Sequence, residues 1–81
     1  MRRMSTEFKT GDLVFCADHE VATYKISHDL RIGPIQFERY VGARGVHVFL
    51  GYIDGSKNTG YFLNARDGRI YICFRGNFKL A

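Results

Sequence analysis

Residues 61–74 read YFLNARDGRIYICF. Two runs rich in aromatic and β-branched residues flank Asp67-Gly68, a dipeptide suited to the positive φ angles of a tight turn, so the stretch predicts a β-hairpin. A two-residue loop would set Arg66 opposite Arg69, Ala65 opposite Ile70, Asn64 opposite Tyr71, Leu63 opposite Ile72, Phe62 opposite Cys73 and Tyr61 opposite Phe74. Side chains alternate between the faces of a strand, and directly paired residues share one. The face with Ala65, Ile70, Leu63, Ile72, Tyr61 and Phe74 is almost wholly apolar and is predicted to be core. The other face carries Arg66, Arg69, Asn64, Tyr71, Phe62 and Cys73, with Arg75 beyond.

The rest of the chain has the same punctuation. Thr10-Gly11-Asp12 turns into a short apolar run from Leu13 to Ala17. Residues 20–28 fit a helix by Val21, Tyr24 and His28 and a strand by Ala22, Tyr24 and Ile26; their β-branched and aromatic content favours strand. HDLRIGP (28–34) reads as a loop, and IQFERYV (35–41) alternates like a strand. GARG (42–45) predicts a hairpin loop pairing Tyr40 with His47 and Glu38 with Phe49. VHVFLGYI (46–53) is apolar on nearly both faces, as a central strand would be. DGSKNTG (54–60) is a longer loop carrying Lys57, and Gly76-Asn77 predicts a last turn before Phe78 to Leu80. The expected fold is all-β: five to seven short strands in an antiparallel meander, closing into an SH3-like or OB-like barrel because closure removes exposed edges. The expected organisation is a tail over residues 1–6 and one domain over 7–81.

An 81-residue chain with 46% hydrophobic and 15% aromatic residues can build one small core. The formal net charge is +4, and the excess lies late: Arg39, Arg44, Lys57, Arg66, Arg69, Arg75 and Lys79 face only Asp54 and Asp67 from residue 39 onward. That asymmetry points to a polyanion or an acidic protein surface as partner. Two cysteines, Cys16 and Cys73, are too few for a disulfide framework and suggest a reducing, cytoplasmic setting. No apolar stretch is long enough to span a membrane, and MRRMSTEF (1–8) lacks the apolar run of a signal peptide.

Arginines directly opposite one another on a sheet repel, by roughly a few tenths to about 1 kcal/mol, unless an anion lies between them. Guanidinium groups interleaved with rings suit RNA or single-stranded DNA, with bases stacked on aromatics and cations tracking phosphates. The predicted site is Arg66, Arg69, Arg75 and Lys57 on phosphate, with Tyr71 and Phe62 as platforms and Asn64 beside them. Phe78 and Leu80 would cover the half near Arg75, leaving Asn64, Arg66, Arg69 and Tyr71 as the open part. The competing reading is a small protein-interaction module or inhibitor, of the kind phages and mobile elements encode, using that Arg/Tyr face on an acidic protein. A third is an oligomer burying Phe49, Phe62 or Phe78 between subunits.

GYFLNARDGRIYICF (60–74), about a fifth of the chain, is similar in outline to part of the cold-shock domain, in which a Gly-aromatic strand, an Asp-Gly turn and a second aromatic strand follow one another. Thr59 stands where that family has a basic residue, and Tyr61-Phe62 lacks the intervening glycine, so the likeness marks a common hairpin pattern and not membership. Cys16 and His19 have C-x2-H spacing, but a structural zinc needs a second such pair. No phosphate-binding loop, nucleophile elbow or paired-carboxylate motif occurs, so neither an enzyme nor a cofactor is expected.

Overall fold

A computed structural model describes residues 7–24 and 37–81. The tail at 1–6, the 28–34 loop and residues 25–28 and 35–36 of the anticipated strands lie outside the described residues. Seven strands follow in order: β1 (Leu13–Cys16), β2 (Glu20–Tyr24), β3 (Phe37–Val41), β4 (Gly45–Tyr52), β5 (Thr59–Asn64), β6 (Ile70–Phe74) and β7 (Phe78–Leu80). All pairings are antiparallel, in one sheet of order β3-β2-β6-β5-β4-β1-β7. The all-β antiparallel class is as expected. β3 and β7 are the sheet's two edges, so the sheet is not closed into a barrel.

Nor is it a simple meander. β4–β5–β6 and β2–β3 are consecutive hairpins, but β1 pairs with β4 and β7, and β2 with β6. GARG is therefore not a hairpin loop. The N–H groups of Gly42 and Ala43 both donate to the His19 carbonyl (2.8 and 3.0 Å), and Arg44 Nε donates to the Ala17 carbonyl (3.1 Å). These bonds sew the segment to the β1–β2 connection and deliver β4 beside β1 instead of β3. Gly76-Asn77 is not a hairpin turn either. Residues Arg75–Asn77 form a 3-10 turn that carries the chain to β1, where Cys16 pairs with Phe78.

The central hairpin shows a register correction. Phe62 pairs with Tyr71 and Leu63 with Ile70, and the Asn64 N–H donates to the Arg69 carbonyl (2.9 Å). The loop thus spans residues 65–68 rather than 67–68, with Gly68 at φ 71°. Asn64 causes the widening. Its Oδ1 accepts from the N–H of Arg66 (2.7 Å) and of Asp67 (3.4 Å), which curls the chain before the Asp-Gly corner. A two-residue shift preserves which strand residues share a face. It removes Arg66 from the ladder, so the two arginines do not oppose each other.

The hairpin's faces follow expectation only in part: Ile72 is buried and Arg66 and Arg69 are exposed as expected, but Ile70 is exposed and the main core lies on the other face. Phe62 and Cys73 are fully buried, and Asn64 nearly so. They join Phe8, Val14, Cys16, Val21, Tyr40, Ala43, Phe49 and Phe78 in one core. Phe78 stacks on Phe62 with centroids 4.0 Å apart, Phe49 lies 5.3 Å from Phe62, and Phe8 lies 5.4 Å from Phe49. Such ring pairs contribute about 0.5–1.5 kcal/mol each beyond their buried area. Gly60 makes room for them: a Cβ there would stand 2.7 Å from Phe49 Cε1 and from the Gly51 carbonyl oxygen. Both faces of β5–β6 are apolar enough to be core. The inner one is set by what arrives over it, namely Phe8, Phe78 and the β2–β3 ribbon. Among the described residues that ribbon is joined to β6 by one residue pair, Thr23 with Cys73, and by Thr23 Oγ1 donating to the Ile72 carbonyl (2.8 Å).

Candidate functional site

Three groups of residues compete for a functional role: a buried polar chain, an aliphatic outer row and an arginine-rich end.

The polar chain begins at Gly45. His47 is fully buried, and its Nδ1 lies 3.2 Å from the Gly45 carbonyl, which can only accept; that contact fixes the proton on Nδ1. Nε2 is then an acceptor for the Tyr40 hydroxyl at 2.6 Å, and the Tyr40 oxygen accepts from Asn64 Nδ2 at 2.5 Å. Burial pushes the Tyr40 phenol up to about 12 and the His47 imidazolium below its usual value. Every member is neutral and satisfied, so the chain is a structural lock joining β3, β4 and β5. The strand pairings expected across GARG, Tyr40 with His47 and Glu38 with Phe49, do not form, because β3 and β4 are not neighbours; the Tyr40 and His47 side chains meet through the hydrogen bond above.

The outer row follows from register. Leu13 pairs with Val48, Val48 with Leu63, and Leu63 with Ile70. These four aliphatic side chains are therefore neighbours across β1, β4, β5 and β6 on the side away from the core. Phe15 and Val46 form a second, adjacent pair. Leu13 is 55% exposed, Ile70 57% and Val46 42%, so the row faces solvent.

The arginine-rich end lies where β4 and β6 begin and β5 ends. Arg66 Nη2 donates to the carbonyls of Gly42 (2.6 Å) and Arg44 (3.0 Å). Arg44 is held on Ala17 as described. Arg69 is exposed, and its guanidinium makes no hydrogen bond or ion pair among the described residues. The ion pair among the described residues is Arg39 with Glu20, at 2.6 Å. Asp67 is an acid at this end, and Asp18 adjoins Ala17, to which Arg44 is held. Its carboxylate accepts from the Tyr71 hydroxyl (2.7 Å) and the Arg69 N–H (2.8 Å), and these bonds hold its pKa below the usual range. The same bond to Asp67 raises the Tyr71 phenol.

The residues picked from sequence are scattered. Phe62 is sealed in the core, so it is no stacking platform. Asn64 is buried, with both ends of its amide used. The Tyr71 ring is half-buried and lies flat on Tyr40, centroids 3.7 Å apart at 6°, which takes one of its faces. Arg66 and Arg69 stand at one end of the β5–β6 hairpin. Arg75 stands at the other, where its Nη2 lies 3.4 Å from Asn58 Oδ1, and Lys57 is exposed on the loop beside Asn58. Arg69 and Tyr71, with Glu38, Arg39, Tyr40 and Ile70, line a cleft of about 530 Å³ between β3 and β6. Phe49, Phe62 and Phe78, expected as an oligomer contact, all lie inside the chain's own core.

Sequence reasoning missed the outer row and Arg44. A signal existed in VHVFLGYI, apolar on nearly both faces, which says that both sides of the sheet carry apolar surface. Among the described residues no three His, Cys, Asp or Glu side chains gather as a metal site, and no helix is long and apolar enough to cross a membrane. Cys16 and Cys73 are free and buried. No family model, curated protein or solved structure matches the chain.

Proposed function

We propose that this protein is a non-catalytic protein-binding module whose contact surface is the outer face of the sheet. The observation that carries this reading is the registered row Leu13–Val48–Leu63–Ile70, with Phe15 and Val46 beside it, turned to solvent. Contiguous apolar surface of this kind on a small domain marks an interaction site more often than chance exposure does.

Photo-crosslinking tests it. A crosslinking residue placed at Leu63, within the row, should give a discrete protein adduct in extracts of the native host, and one at Asp54, off the row, should not. No adduct from Leu63 would count against the proposal.

A second reading keeps the sheet's basic end. Arg69 and Arg39 line one cleft with the half-exposed Tyr71, an arrangement that favours RNA or single-stranded DNA. Its test is a titration with short labelled oligonucleotides at low salt, with the Arg66→Ala/Arg69→Ala variant as control. Binding that this variant abolishes, together with silence from the Leu63 crosslinker, would replace the protein-binding reading.

A further inference from the structure

We infer that a proton taken up by His47 releases the β2–β3 ribbon from the rest of the sheet, which makes the ribbon an acid-operated flap over Cys73. The inference goes beyond the protein-binding reading and does not use the outer face.

Among the described residues, β2 and β3 reach the rest of the sheet by two polar ties, beside the packing of Val21 and Tyr40 in the core. One is Thr23, which pairs with Cys73 and whose Oγ1 donates to the Ile72 carbonyl (2.8 Å). The other is Tyr40, whose oxygen stands between His47 Nε2 (2.6 Å) and Asn64 Nδ2 (2.5 Å). The base of the ribbon is pinned separately. Gly42 and Ala43 donate to the His19 carbonyl, and Arg66 Nη2 donates to the Gly42 carbonyl. A released ribbon therefore swings about that end.

The Tyr40 tie senses a proton. Nδ1 of His47 already donates to the Gly45 carbonyl, so an added proton goes to Nε2, the atom that accepts from Tyr40. Two hydrogens then face each other across 2.6 Å. The Tyr40 oxygen can accept the new Nε2–H, but its own hydrogen loses its acceptor in a buried place, which is costly. The surroundings do not favour the charged ring. β1 brings Val14, β5 Asn64, β7 the Phe78 ring at 5.0 Å and β3 Tyr40, while the charges that act from the hairpin loop, Asp67 and Arg66, are opposite in sign. Water is the remaining source of stabilisation. Tyr40 lines the cleft of about 530 Å³ between β3 and β6, so movement of β3 opens His47 to solvent. Closure is then firm above about pH 6.5 and weakens as pH falls.

Cys73 is fully buried, pairs with Thr23 and reports the opening. A pyridyl disulfide labels the intact protein at a series of pH values from about 7.5 to about 5. Peptide mapping reads Cys73, and each rate is divided by that of a cysteine peptide at the same pH. With a reference pKa of about 6.5 and no proton on His47 in the closed form, the normalised rate should rise by up to about thirtyfold. Its dependence on urea should be much shallower than that of global unfolding, because a flap exposes less surface. His47→Gln should flatten the pH dependence, and His19→Gln, at an exposed position, should keep it. Urea dependence as steep as global unfolding would overturn the inference. So would a flat wild-type rate, or a rise that survives His47→Gln. Should His47→Gln not fold, nitrogen-15 NMR of the wild type decides. A His47 ring that becomes charged only as Cys73 labels supports the flap, and a charged ring with Cys73 still protected overturns it.

Discussion

Replacing Tyr40 by Phe removes one oxygen and leaves the ring on Tyr71. In the native chain that oxygen donates to His47 Nε2 and accepts from Asn64 Nδ2, and all three side chains are buried. The substitution therefore strands a buried acceptor and a buried donor at once. Each costs about 1–3 kcal/mol, so the variant should lose about 2–6 kcal/mol. At roughly 0.05–0.15 kcal/mol per residue, a domain of this length has about 4–12 kcal/mol in total. The loss is then at least about a sixth of the whole and about half at the middle of both ranges. Urea unfolding followed by circular dichroism measures it, and the melting temperature should fall by at least about 8 °C. A double-mutant cycle with His47→Leu isolates the contact, because the two changes should be non-additive by about 1 kcal/mol or more. A Tyr40→Phe variant within about 0.5 kcal/mol of wild type, or an additive cycle, would refute the polar chain as a structural lock.

Three further outcomes are expected. His47 has its pKa lowered by burial, so the unfolded chain binds its proton more readily; stability is full above about pH 6.5 and declines as pH falls, by up to about 1.4 kcal/mol per unit until the folded group itself titrates. Denaturation midpoints from pH 7.5 to 5 check this, and His47→Gln should flatten the slope. Gly60→Ala should destabilise by about 1–3 kcal/mol, since the new methyl meets the Phe49 ring and the Gly51 carbonyl; calorimetry would read it, and an unchanged melting temperature would contradict the packing. Ile70→Lys and Leu13→Lys should each shift stability by less than about 0.5 kcal/mol because both side chains are largely exposed, and a loss of several kcal/mol would show that the outer row is core after all.

Strand existence was legible because alternation and turn residues act locally. β4, β5 and β6 fall where VHVFLGYI, YFLNAR and RIYICF place them. Topology was not, because it depends on bonds between segments distant in sequence. Two N–H groups at Gly42 and Ala43 fastened to His19 decide that β4 leaves β3, and no local pattern encodes that. The burial of Asn64 and Cys73 and the exposure of Ile70 have a similar cause. With Leu63, Ile70 and Ile72 on one side and Phe62, Tyr71 and Cys73 on the other, burial is settled by Phe8 and Phe78 arriving from the two ends of the domain. Asn64 was read as an exposed amide because its short-range role, widening the loop, and its long-range role, binding Tyr40, both need the folded chain. The cover of Phe62 by Phe78 was legible, since residues along one strand face can be counted across a turn.

Among the described residues β2 meets β6 through one residue pair, which sets a hierarchy of opening. Backbone bonds tie β6, β5, β4, β1 and β7 into a continuous ladder, whereas β2 and β3 hang from it mainly by the side chains of Thr23 and Tyr40. Amide protons of Val21, Thr23, Glu38 and Tyr40 should then exchange with solvent deuterium together and ahead of those in β5, as one early-opening unit.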